Sequence, residues 1–203
     1  MNSVIFVSLI GLARGSFDYS GSATLQDVAA FFNTDQLIVL VARSYTHILR
    51  GHEPVCIYNQ KHTISGTTAV VVLQHYRYGN ERTTYSFGYA VHYALSRGQG
   101  MDVAPVMRAT NKSNEKDVKH ERIYFFNYFD PVKKCAVITF KDNSHSTKCE
   151  LHVWKEYYGI KLENCEREFV YRCPYDPYYF PSESAICPWR CGNNFLAGFV
   201  PPA

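Results

Sequence analysis

The stretch TTYSFGYAVHYAL, residues 83–95, alternates between bulky and small side chains. Because successive side chains of a β-strand point to opposite faces of the sheet, this pattern predicts a strand with one aromatic face and one face of small residues. We expect the aromatic face to line the inside of a curved sheet, although a slip of one residue in register would invert the two faces. The aromatic face carries Tyr85, Phe87, Tyr89, Val91, Tyr93 and Leu95.

Seven further segments rich in β-branched and aromatic residues surround this strand. Turn-forming pairs such as Gly79-Asn80 and Asp130-Pro131 separate them. Together they predict a meander of about eight antiparallel strands, and eight is the number of strands that closes a barrel around one small ligand. The predicted strands are residues 37–45, 54–58, 64–78, 83–95, 101–110, 121–129, 135–141 and 148–157.

Two segments instead have apolar residues at helical spacing. Residues 25–32 predict a short helix that Thr24 can cap, and residues 159–173 predict a second helix packed on the barrel. The strand at residues 121–129 is apolar on both faces, as expected where a barrel wall meets ligand inside and a helix outside. The predicted fold class is therefore all-β with minor α, an eight-stranded antiparallel up-and-down barrel with one helix near each end of the chain.

The N-terminus predicts export. A short apolar run at residues 4–12 precedes Ala13-Arg14-Gly15, which indicates a signal peptide over residues 1–15. Residues 16–203 are then one secreted domain, with a Cys- and Pro-rich tail at 174–203. No other segment reaches the roughly 18 consecutive apolar residues of a membrane span. The sequon Asn111-Lys112-Ser113 predicts a glycosylated loop.

The cysteines predict disulfides. Six of the seven lie between Cys135 and Cys191, without the spacing of a metal site, and this density is typical of an oxidising compartment. An odd count leaves one thiol free or paired with another chain. The net charge of +3 is spread along the sequence, which argues against a nucleic-acid partner.

No motif for catalysis is present. The sequence lacks a nucleophile elbow, a phosphate-binding glycine loop and a His-Glu-x-x-His motif, and we therefore expect neither an enzyme nor a cofactor or metal site. The 16 tyrosines and 13 phenylalanines are numerous. They can fill a core, and they can also line an apolar cavity whose hydroxyl groups orient one buried ligand.

Four short stretches resemble the tick lipocalin family, which includes the salivary histamine-binding proteins. The resemblance is carried mainly by residues 135–187, and it implies disulfides Cys56–Cys187, Cys135–Cys165 and Cys149–Cys173, with Cys191 left over. In its length and its Cys-bearing tail, this chain is similar to members of the branch that contains japanin. That similarity implies a sterol-binding immunomodulator. The four stretches are Cys135-Ala136-Val137-Ile138, CELHVW at 149–154, LENCEREF at 162–169 and Ala185-Ile186-Cys187.

The resemblance also bears on the ligand. Amine-binding members carry an acidic residue directly after the first of these cysteines, where this chain has Ala136. They also carry a Glu-Leu pair followed by an aromatic residue. This chain keeps the pair as Glu150 and Leu151 but has His152 in place of the aromatic residue. A buried cationic amine needs compensating carboxylates, because an unpaired buried charge costs several kcal/mol. The loss of one carboxylate argues against a histamine site, whereas an uncharged lipid has no such requirement.

The leading hypothesis is a secreted tick lipocalin that binds a sterol or fatty acid and modulates host immune or inflammatory responses. The alternatives are a scavenger of biogenic amines such as histamine or serotonin, and a protein-binding module on a lipocalin scaffold. The expected partners are the small-molecule ligand and a host immune-cell or mediator protein. The predicted ligand-binding residues are Tyr85, Phe87, Tyr89, Val91, Tyr93, Phe125, Phe129, Glu150 and Trp154.

Overall fold

The computed structural model describes residues 23–48, 51–79, 82–97, 104–111, 121–174, 178–180 and Cys187. The predicted signal peptide, Cys191 and most of the predicted tail lie outside these residues. Asn111 is the last residue of a described strand, and the rest of its sequon lies outside the described residues.

Eight antiparallel strands pair in chain order, and the first pairs with the last, so the sheet closes into a barrel. Closure leaves no free sheet edge, and backbone donors and acceptors are therefore paired around the ring. The predicted fold class is confirmed. The strands are β1 Ile38–Arg43, β2 Cys56–Ser65, β3 Ala69–Gly79, β4 Thr84–Ser96, β5 Val106–Asn111, β6 Glu121–Asp130, β7 Cys135–Lys141 and β8 Thr147–Trp154.

The structure corrects the predicted break between β2 and β3. The prediction ended one strand at residue 58 and ran the next from 64 to 78, whereas β2 continues to Ser65 and β3 begins at Ala69. Gly66 turns the chain with a φ of 54°, in the left-handed region that glycine enters at little cost. The backbone N–H of Thr68 then donates to the carbonyl of Ser65 at 3.1 Å. The Ser-Gly pair was a turn signal that the long apolar run obscured.

The helix α1, Leu25–Phe32, lies at one end of the barrel and fills it. Its N-terminus is a capping box, in which Asp27 N–H donates to the Thr24 hydroxyl and Thr24 N–H donates to the Asp27 carboxylate. Phe31 is fully buried, with its ring 5.6 Å from the rings of Phe126 and Phe129 in β6. This end of the barrel is therefore closed by an apolar floor.

The helix α2, Glu163–Arg172, covers the outside of the wall formed by β6, β7 and β8. It begins four residues later than predicted, because a short 3-10 helix at Lys155–Tyr157 and a turn at Gly159, where φ is 86°, follow β8. Buried Phe169 packs beneath α2 with Leu162 and outward-facing Val137 and Leu151 of the wall. Consequently β7 and β8 are buried on both faces.

Three disulfides hold this outer layer, and they join the cysteines that the family resemblance implies. Cys135–Cys165 and Cys149–Cys173 tie α2 to β7 and β8, with Cα–Cα separations of 6.3 Å and 6.2 Å. Cys56–Cys187 ties the tail to β2 at 5.6 Å. All three separations fall within the range that a disulfide permits. The tail also pairs with β1, since Arg43 and Tyr179 exchange two backbone hydrogen bonds.

Loss of the α2 disulfide tests how strongly this layer is held. We expect the double variant Cys135→Ala/Cys165→Ala to lower the free energy of unfolding by about 2–4 kcal/mol, because the bridge restricts the unfolded chain over a sequence separation of 30 residues. Urea denaturation followed by circular dichroism measures the change. Lys161→Ala, at an exposed position just before α2, is the control and should change this free energy by less than about 0.5 kcal/mol. An unchanged midpoint in the double variant would contradict the prediction.

Candidate ligand-binding cavity

The barrel encloses a cavity of about 930 Å³ that opens at the end opposite α1. This volume lies near the upper end of the range of roughly 300–1,000 Å³ for small-molecule sites. The strand ends that the β1–β2, β3–β4, β5–β6 and β7–β8 connections join lie at the mouth, as the strand directions require. The lining residues are Leu40, Tyr45, His47, Ile57, Gln74, Tyr76, Tyr89, Val91, Tyr93, Ala109, Thr110, Glu121, Arg122, Ile123, Tyr124, Phe125, Lys141, Asp142, Asn143, His145 and Glu150.

The aromatic face of β4 points into the barrel. Tyr89, Val91 and Tyr93 all line the cavity, which fixes the register that the sequence left open. Outward-facing Gly88 lies against its neighbour on β3, since a Cβ atom there would come within 3.0 Å of His75 Nδ1. The alternation of large and small residues therefore serves two purposes. Large residues line the interior, and small ones allow close packing outside.

The other predicted site residues lie at different heights in the barrel. Phe125 and Glu150 border the cavity together with the β4 residues. Tyr85 is at the rim, 53% exposed, and stacks on Tyr78 at 5.5 Å. Phe87 packs against Tyr89 and is not itself one of the lining residues.

Phe129 and Trp154 belong to the floor rather than to the lining. Phe129 contacts Phe31 of α1, and the Trp154 indole N–H donates to the Phe31 carbonyl at 2.9 Å. A bulge in β6 between Phe126 and Tyr128 places Phe126 and Phe129 in the same inner cluster. The simple alternation expected for β6 therefore fails at this point.

Tyrosine hydroxyl groups form a belt around the cavity. The hydroxyls of Tyr76 and Tyr89 lie 3.0 Å apart, and Tyr76 donates to Gln74 at 2.7 Å. Burial raises the pKa of both tyrosines and of Tyr93, so these groups stay protonated at neutral pH. The Tyr93 hydroxyl has no hydrogen-bond partner among the described residues. The belt offers polar atoms to a ligand without adding charge.

Glu150 is the one buried carboxylate among the described lining residues. Its Oε1 accepts from the Tyr45 hydroxyl at 2.5 Å, and its Oε2 lies 2.9 Å from His152 Nε2. Burial raises the pKa of Glu150, but interactions with His152, Tyr45 and Arg122 outweigh burial and leave that pKa below its ordinary value. Glu150 is therefore ionised at neutral pH.

Ala136 occupies the position where amine-binding members are expected to carry a carboxylate. It is fully buried and pairs in register with His152, below Glu150 on the neighbouring strand. No second carboxylate accompanies Glu150 inside the described part of the barrel. At the mouth, Glu121 is exposed and is held by Arg108, and Asp142 is half-buried and is held by the β7–β8 turn.

Arg122 of β6 is a lining residue that the sequence did not predict. It is exposed to the open mouth of the cavity, and its guanidinium lies 4.5 Å from the centre of the Phe140 ring and hydrogen-bonds to Tyr124. Tyr45 and Tyr76 were also not predicted, although alternation along β3 places Tyr76 with Gln74. The available signal for Arg122 was its position two residues before Tyr124 in a strand whose inner face was ambiguous.

Neither a metal-binding cluster nor a membrane-spanning helix is found among the described residues. They contain no group of three or more His, Cys, Asp or Glu side chains that could hold a metal ion. None of the helices in these residues combines the length and the apolar character needed to cross a membrane.

A family model described as tick histamine binding protein matches residues 18–188, which include every described strand and both helices. No curated protein matches the chain.

The ionised state of Glu150 can be tested through stability. A carboxyl whose pKa is lowered in the folded state contributes stability above its unfolded pKa, and this contribution is lost as the pH falls through the folded pKa. We therefore expect the free-energy difference between the wild type and Glu150→Gln to narrow as the pH falls below the ordinary value of 4.5. Urea denaturation between pH 7 and pH 3 measures this difference.

The control is Glu156→Gln, at an exposed position of the 3-10 helix. It should change the free energy of unfolding by less than about 0.5 kcal/mol at pH 7. The opposite result would be a free energy of unfolding of the wild type that rises, relative to that of Glu150→Gln, as the pH falls. It would mean that the folded-state pKa of Glu150 is raised and that burial outweighs the interactions with His152 and Tyr45.

Proposed function

Because the chain belongs to the tick histamine-binding protein family, a family of ligand-binding lipocalins rather than enzymes, we propose that its barrel carries one lipid-sized ligand, a sterol or a fatty acid. The observation that carries this proposal is the cavity of about 930 Å³ with an apolar floor. A small amine would fill little of this space. A ligand with a large apolar body gains about 2.5 kcal/mol for each 100 Å² of apolar surface that it buries, before entropic costs.

The interior suits such a ligand at two levels. Val91, Ala109 and the Tyr93 ring supply apolar surface toward the floor. The tyrosine hydroxyls and Gln74 supply neutral hydrogen-bonding groups nearer the mouth. A ligand with an apolar body and a polar end would satisfy both levels, with its apolar part against the inner faces of β4 and β5.

We further propose that the protein is secreted and acts by sequestering a host mediator or by modulating host immune cells. Three disulfides support an oxidising, extracellular location. The chain length and the Cys-bearing tail support the branch of the family that contains japanin. A predicted signal peptide at residues 1–15, a domain at 16–203 and glycosylation at Asn111 are parts of the same proposal.

Binding of a biogenic amine is the second candidate, and the ionised Glu150 favours it. A carboxylate can accept more than the two hydrogen bonds that Glu150 receives, so an ammonium group has room to bind. Against this candidate, Ala136 supplies no second carboxylate, and the positive charge of Arg122 repels a cation in the same cavity. The lipid proposal therefore has more support.

The proposal is tested by filling the cavity. Ala109 lies between Tyr93 and Arg122 in the strand register, and Ala109→Phe would place a ring in the space proposed for the ligand. We expect organic extraction of the purified wild type to yield a bound neutral or acidic lipid by mass spectrometry, and the variant to yield several-fold less. Ala90→Phe, on the outer face of β4, is the matched control and should retain the lipid.

Titration calorimetry with histamine, serotonin, cholesterol and a fatty acid separates the two candidates. Binding of cholesterol or the fatty acid that Ala109→Phe weakens and Glu150→Gln leaves nearly unchanged would support the lipid proposal. Nanomolar binding of histamine, lost in Glu150→Gln, together with an extract free of lipid, would overturn it and favour amine scavenging.

A further inference from the structure

Two opposite charges line the cavity, and they differ in depth and in their described partners. Glu150 is buried and is bound by both Tyr45 and His152. Arg122 lies at the mouth, where no carboxylate among the described residues forms an ion pair with it. A guanidinium has five N–H donors, and its hydrogen bond to Tyr124 leaves several of them available.

The position of Arg122 is held by its neighbours. Its guanidinium lies over Phe140, a residue that is 2% exposed and belongs to the rigid β7 wall. Tyr124, two residues away on the inner face of β6, fixes it by a hydrogen bond. An arginine that stacks on a buried ring and bonds to a tyrosine is preorganised, so little side-chain entropy is lost when it receives an anion.

We infer that Arg122 selects a long-chain carboxylic acid as the ligand, binding its carboxylate at the mouth while the chain extends toward the floor. This inference rests on the proposed lipid-binding function and chooses between its two ligand classes. The opposite orientation is unfavourable, because a carboxylate placed deeper would meet the negative charge of Glu150. A sterol hydroxyl, being neutral, would gain much less from a guanidinium than a carboxylate does.

Other cations at the mouth do not replace Arg122 in this role. Lys141 lines the rim at the end of β7, but no ring or hydrogen-bonding group among the described residues holds its ammonium group, unlike the guanidinium of Arg122 on Phe140. His47 also lines the cavity, but burial and the nearby charge of Arg43 lower its pKa, so it is neutral near pH 7. Arg122 is therefore the lining cation that packs on a buried ring.

The experiment compares two ligands that differ only in the head group, oleic acid and oleyl alcohol. Binding of each to delipidated protein is measured at pH 7.5 by displacement of a fluorescent lipid. We expect the wild type to bind oleic acid about tenfold more tightly than the alcohol, and Arg122→Gln to abolish this preference by weakening the acid alone. Arg122→Lys should keep part of the preference, since it retains the charge but loses the planar guanidinium.

Arg97→Gln is the matched control, because Arg97 is exposed just after β4, at the floor end of the barrel, and does not line the cavity. It should leave both affinities within twofold of the wild type. If both ligands bind equally well to the wild type, or if Arg122→Gln weakens both to the same degree, the inference is overturned while the lipid-binding function stands. If neither oleyl compound nor cholesterol binds to the wild type, the proposed function itself fails.

Discussion

Burial of β1, β7 and β8 on both faces is the constraint that shapes the rest of the protein. Every residue of β1 is buried, and β7 is buried from Cys135 to Phe140. Such strands need an apolar layer on the outside as well as inside the barrel. The helix α2, the tail around Tyr178 and the three disulfides supply that outer layer, and α1 supplies the inner one at the floor.

The opposite side of the barrel follows a different rule. β3 and β4 alternate between inner residues with aromatic rings and outer residues that contact solvent. The outer layer of α2 and the tail does not cover this side of the barrel. Its inner face, with Tyr76, Tyr89 and Tyr93, lines the cavity. The floor under α1 limits the depth of the cavity, so the remaining volume lies in the upper part of the barrel.

Sequence reasoning was accurate for the properties that depend on local pattern. Alternation in residues 83–95 identified β4 and, through the expected curvature, the face that lines the cavity. The resemblance to the tick lipocalins supplied the cysteine pairs, which alternation alone could not have given. The position of each inward-facing residue along the barrel axis could not be predicted from alternation or from the resemblance. Phe129 and Trp154 have the expected inward direction, but they lie at the floor because α1 packs against that end.

Charges inside the barrel were harder still to predict. Arg122 is one of 21 basic residues that are scattered along the sequence, and nothing local separates it from the exposed Arg108, which pairs with the adjacent residue Ile123. Its role in the site depends on the partners that three different strands bring to it. These are Tyr124 of its own strand, Phe140 of β7 and, across the cavity, the carboxylate of Glu150.

The two sides of the barrel thus contribute different features to the site, charged groups from one side and aromatic surface from the other. Glu150 extends from β8, beneath α2 on the wall that disulfides and a buried outer layer hold in place, and Arg122 extends from the exposed start of β6 and packs on Phe140 of that wall. Fixed charges discriminate between ligands best when they cannot move to meet the wrong one, because reorganisation would offset part of the electrostatic difference. The aromatic surface extends from β3 and β4, whose described residues carry no disulfide and whose outer face is partly solvated. Apolar contact is not directional, so a more adaptable wall loses little by adjusting to the shape of an apolar chain.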